Sequence, residues 1–176
     1  MGMSLNLQTY YENRNAFRAV AGHELFHLFQ SYYDPRRWGQ RTFSGASWLW
    51  LWEATAVWFE EKMVTGVKNY VSDVTMVNAD FLFRGGLEQS PGLLGSSAAR
   101  RHGYGAASFI RYLARDDEQR VGRIIRRSKD SSGLIFTDFL YLPVEAIERE
   151  LNVWDSVGER WWRFARSMLK GECSPT

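Results

Sequence analysis

Cysteine is nearly missing from this chain. Its single copy, Cys173, lies close to the C-terminus. That excludes an intrachain disulfide framework, a thiolate zinc cage and any obvious Cys-His nucleophile. A strong charge of one sign is missing too. The 22 Lys+Arg nearly balance the 20 Asp+Glu, for a net charge of +2. The densest basic groups, Arg100-Arg101 and Arg126-Arg127, are short, so no nucleic-acid partner is expected. No apolar run approaches membrane-spanning length, and no membrane partner is expected either. The N-terminal stretch carries Glu12, Arg14 and Arg18 and does not read as a secretory signal. The Met1-Gly2-Met3 start is compatible with an expression scar on a domain excised from a longer chain, and no compartment is indicated. Internal repeats and an interdomain linker are also missing.

What is present fits one globular domain spanning 1–176. The 176 residues are 45% hydrophobic and 15% aromatic, with eight tryptophans, enough to bury a core. The pattern is a succession of helices without a convincing strand meander, so the expected class is mainly α. A first helix is predicted from a cap at Asn13 or Asn15 to about Tyr33, stopped by Asp34-Pro35. Apolar residues Phe17, Val20, Ala21, Leu25, Phe26, Leu28 and Phe29 cover most of its circumference, which predicts a buried central helix. A loop is expected over 34–46 and a second helix from about Ser47 to Met63, ended by Thr65-Gly66. Residues 67–83 suit one or two short helices, and 84–99 a long loop. Further helices are expected from about Tyr104 to Arg115, after Asp116-Asp117, over 143–151 and over 153–170.

The first helix contains His23-Glu24-Leu25-Phe26-His27, an HExxH pentapeptide. Positions i and i+4 share a helix face, so His23 and His27 can direct two imidazoles at one metal ion. Glu24 projects about 100° round from His23, where a carboxylate reaches a water beside the metal rather than the metal. A catalytic zinc usually takes three protein ligands and keeps the fourth position open. Glu53, a lone carboxylate in a stretch rich in tryptophan and alanine, is the candidate third ligand; Glu60 and Glu61 are its rivals. A carboxylate is costly to bury there unless something positive holds it. Glu60, two turns beyond Glu53 on the same face, suits an acceptor for the free N–H of a ligand histidine. Its alternative is a solvated helix end at Glu60-Glu61-Lys62.

HELFH followed by Trp50-Leu51-Trp52-Glu53-Ala54-Thr55-Ala56-Val57-Trp58-Phe59-Glu60 resembles the paired motifs of the gluzincin metallopeptidases. More closely, the chain resembles a bacterial family assigned as metalloproteases, in which HExFHxxQ precedes WxxEATAxWxE and a later YGAxxFxxYL. The likeness covers roughly residues 19–65 and extends to Tyr104-Gly105-Ala106-Ala107-Ser108-Phe109 with Tyr112-Leu113. Two departures stand out. Ala54 replaces the glycine usual in the aminopeptidases of the clan. Only about 20 residues precede the motif helix, where larger members place a β-sheet that holds extended substrate.

The resemblance implies a helical, zincin-like catalytic domain with little or no N-terminal sheet. It implies one Zn(2+) and hydrolysis of a peptide or protein substrate, with Glu24 as general base. It also implies a tyrosine or histidine donor to the oxyanion, from a helix after the third ligand. Tyr104 and His102 both qualify: one alignment selects the tyrosine, the other the histidine. A scaffold or binding module that retains the metal motif without turnover is the alternative function. Trp48, Trp50, Trp52 and Trp58 read as core and cleft wall. Trp161, Trp162, Phe164 and Met168 read as the apolar side of a C-terminal helix packed on the domain.

Overall fold

Asn13 starts the first helix. Its Oδ1 accepts from the backbone N–H groups of Asn15 (3.1 Å) and Ala16 (3.0 Å), two donors that a first helical turn leaves without partners. The computed structural model describes residues 11, 13–33, 38–64, 96–129, 143–151 and 155–170. Side chains in the second and third helices are described from residues 49 and 102 onward. Six helices run through these segments: α1 (Arg14–Tyr33), α2 (Trp38–Met63), α3 (Ser96–Ala114), α4 (Gln119–Lys129), α5 (Pro143–Glu150) and α6 (Val157–Leu169). No strand occurs among the described residues, so the class is mainly α as expected.

Two helices begin earlier than their composition suggests. Residues 38–46, read as part of a loop, are helical in α2, and α3 starts at Ser96 rather than near Tyr104. Glycine and serine weaken a helix by fractions of a kcal/mol, whereas the costly step is nucleation. Once 50–59 and 104–113 are locked by packing, each upstream residue joins at the small propagation cost. The expectations for 67–83 and 84–95 lie outside the described residues, as does the Trp48 side chain. α4 follows Asp117, whose Oδ1 accepts from Gln119 N (3.1 Å). α6 is capped by Ser156, whose Oγ accepts from Glu159 N (3.2 Å).

The α2–α3 pair forms the centre, with α1 packed on α2, α4 on α5, and α6 against α3 and α5. Leu51, Phe109, Ile110, Leu113, Ile124, Ile147 and Phe164 are fully buried there, each contributing about 1.5–3 kcal/mol by leaving water. Small residues let α2 and α3 approach closely. A Cβ on Gly103 would lie 2.6 Å from the Cβ of Glu53 and 2.7 Å from the carbonyl oxygen of Trp50. Glu53 therefore sits at a close approach of the two helices.

α1 departs from expectation. Ala19, Gly22, His23, Phe26 and Gln30 form its buried face. The opposite face stays open: Leu25 is 53% exposed and Tyr32 74%, with Leu28 and Phe29 also exposed. Apolar residues surround the helix, but α2 covers only one side. In α6, Trp161 and Met168 pack on the core, Phe164 is part of it, and Trp162 is 66% exposed. No helix among the described residues is long and apolar enough to cross a membrane.

Candidate metal centre

The buried face of α1 meets the face of α2 that carries Glu53 and Glu60. Helical period makes both faces, since His23 and His27 are one turn apart and the two glutamates two turns apart. Three atoms converge between them. His23 Nε2 lies 3.0 Å from His27 Nε2 and 3.1 Å from Glu53 Oε2, and His27 Nε2 lies 3.6 Å from the same oxygen. The other nitrogen of each ring is engaged elsewhere. His23 Nδ1–H donates to Glu60 Oε1 at 2.5 Å, and His27 Nδ1–H to Gln30 Oε1 at 2.7 Å. Both rings thereby turn Nε2 towards Glu53.

Electrostatics follow from burial and this geometry. Burial pushes the His23 imidazolium down, but its hydrogen bonds to Glu53 and Glu60, with their charges, outweigh it and raise the pKa to about 9. Burial pushes Glu53 up; hydrogen bonds from His23 and His27, and their charge, bring it down to about 2. Burial leads for Glu60 and leaves it raised despite the His23 hydrogen bond, with Glu61 and Glu53 adding repulsion. Two nitrogens and a carboxylate oxygen this close need a hydrogen or a cation between them.

His23, His27 and Glu53 form a group that can hold a metal ion. An ion of zinc's size, tetrahedral with bonds of about 2.0–2.1 Å, sets its ligand atoms about 3.3–3.4 Å apart. The observed separations of 3.0, 3.1 and 3.6 Å bracket that value. Each histidine also has the acceptor on its far nitrogen that metal-ligating imidazoles almost always have. The donor set and its surroundings therefore fit such an ion.

The remaining candidates divide. Glu61 turns away from the cluster to Arg111, whose Nε donates to it at 2.9 Å, so it is not placed as a third ligand. Glu24 is half-buried on the flank of α1, about 60° round from His27 by helical geometry. Tyr104 is half-buried, and its ring stands edge-on to His23, with centroids 6.2 Å apart. His102 is 1% exposed and packs against Trp50, centroids 6.2 Å apart. With α3 helical from Ser96, residues two apart project to nearly opposite sides, so both cannot face the cluster.

Sequence reasoning assigned no role to Gln30, Thr55 or Gly103. Gln30 lies one turn past His27 on the buried face of α1, and that spacing, with the glutamine of the HExFHxxQ pattern, was the available signal. Gly103 could be recognised only from the helix that crosses it. Compared with known proteins, the chain matches no family model, no curated sequence and no solved structure.

Proposed function

We propose that this chain is a zinc-dependent peptidase, with His23, His27 and Glu53 as the metal ligands. The observation that carries the reading is the convergence of two imidazole Nε2 atoms and one carboxylate oxygen, with both Nδ1 atoms already committed to acceptors. Borderline N/O donors in that number suit zinc and leave a coordination position open. The motif order supports the same reading, since Glu24 neighbours a ligand where a general base is needed.

Zinc held there supplies a Lewis acid for the scissile carbonyl and lowers the pKa of a water. Glu24 takes the proton of the attacking water and delivers it to the leaving amine. Tyr104 donates its hydroxyl hydrogen to the developing oxyanion, a role its place beside His23 favours over His102. Glu60 holds His23 in the Nδ1–H tautomer.

The test pairs metal analysis with cleavage of an unstructured protein, with and without chelator. About one zinc per chain is expected, with cleavage that the chelator abolishes. Glu24→Gln should keep the metal and lose hydrolysis. A chain that stays metal-free after zinc loading ends the reading. Zinc without cleavage of any peptide favours a metal-holding scaffold.

A further inference from the structure

Gln30 is 1% exposed, and burying a primary amide is costly unless its groups are paired. Its Nε2 lies 2.9 Å from the carbonyl oxygen of Trp52 and 2.7 Å from Thr55 Oγ1. A backbone carbonyl only accepts, so the atom facing Trp52 must be the NH₂ group. Thr55 in turn donates its hydroxyl hydrogen to Leu51 O at 2.8 Å, leaving lone pairs towards Gln30. Both amide hydrogens are thereby used, and the amide cannot turn over. Its oxygen is left facing His27 Nδ1 at 2.7 Å, so that nitrogen must carry the hydrogen. In the neutral ring the lone pair is then on Nε2, which faces Glu53.

We propose that Gln30, locked by the Trp52 carbonyl and Thr55, is the positioning residue that fixes His27 as an Nδ1–H tautomer with Nε2 free for the metal. The metal part of this inference rests on the reading of the cluster as a zinc site. The tautomer part does not. The two ligand histidines then have unlike supports: an anion, Glu60, behind His23 and a neutral amide behind His27. Every contact that sets the amide comes from α2, so the packing of α1 on α2 sets the tautomer.

The experiment reads histidine tautomers and zinc affinity, not turnover. Long-range ¹H–¹⁵N spectra of the metal-free wild-type protein, recorded at alkaline pH where the ring is neutral, should show His27 protonated at Nδ1 and bare at Nε2. Gln30→Met fills the same space without an acceptor. It should lose that signature and bind zinc about 10- to 100-fold more weakly by chelator competition, with helix content retained. Gln30→Glu keeps an acceptor oxygen but presents a carboxyl group to the Trp52 carbonyl. It should hold zinc within about threefold of wild type while melting lower, a split that a merely structural residue does not give. His27 carrying its hydrogen on Nε2 in the metal-free wild type overturns the proposal. So does Gln30→Met that keeps wild-type zinc affinity. If the wild type binds no zinc, the metal reading fails by itself, and the wild-type tautomer still decides the role of Gln30.

Discussion

A metal ion taken up by the cluster would compete with a proton for His23, and the size of that competition can be worked out. Glu53 and Glu60 hold the imidazole from both sides and raise its pKa to about 9. At pH 7 about 99% of His23 therefore carries a second proton, which must leave before Nε2 can act as a ligand. The penalty is about 100-fold in apparent affinity relative to pH above 9, or about 3 kcal/mol. Glu53, held near 2, is already ionised and adds no proton of its own. Zinc uptake should then release about one proton from His23 at pH 7, and apparent affinity should rise about tenfold per pH unit between 6 and 8.

Isothermal titration of zinc into metal-free protein, in buffers of differing ionisation enthalpy, counts the protons. Chelator competition across the same range gives the slope. Near-zero proton release at pH 7, with affinity flat from pH 6 to 8, would refute the reasoning. It would mean that His23 is neutral and that the carboxylates do not act on it as their distances of 3.1 and 2.5 Å require.

The same shift makes the metal-free protein pH-sensitive. A pKa raised from 6.5 to about 9 stabilises the fold fully below 6.5, and about 3 kcal/mol should be lost as pH rises through 9; denaturant melts at pH 6 and 9.5 check this. Glu53→Ala should weaken zinc binding by orders of magnitude and Glu60→Ala by roughly 10- to 100-fold; the reverse order in chelator competition would exchange their roles. Tyr104→Phe should lower turnover roughly 10²- to 10³-fold with zinc content intact, and His102→Phe should lower it less; equal mild losses would place neither group at the reacting carbonyl. Gly103→Ala puts a methyl 2.6–2.7 Å from Glu53 and the Trp50 carbonyl, so it should cost about 1–3 kcal/mol in denaturant melts and loosen zinc together with the fold.

The legible part of the site is the part set by period along single helices. His23 and His27 at four residues, and Glu53 and Glu60 at seven, each fix a face before any partner is known. The Asn13 cap is legible for a similar reason, since its oxygen reaches N–H groups only two and three residues on. Properties that depend on what crosses a helix are not legible. The sequence marks α1 as apolar all round, yet only the approach of α2 decides that Phe26 is buried and Leu25 open. His102 and Tyr104 stayed tied because the helix was expected to begin at the tyrosine. With α3 starting at Ser96, both lie well inside it and face opposite ways. Gln30 was invisible as a device because its orientation is set by Trp52 and Thr55, some two dozen residues away.

The unlike supports of the two histidines have a reason in charge. Glu53 and Glu60 are both buried, and each is drawn towards His23. Two carboxylates would balance one divalent ion once His23 gives up its extra proton. A third carboxylate behind His27 would leave the closed cluster one negative charge in excess, which low-dielectric surroundings penalise heavily. A glutamine supplies the acceptor that His27 needs without that charge. Its two amide hydrogens meet acceptors already present on α2, the Trp52 carbonyl and Thr55 Oγ1. The neutral acceptor therefore suits His27, the histidine whose partner must also donate.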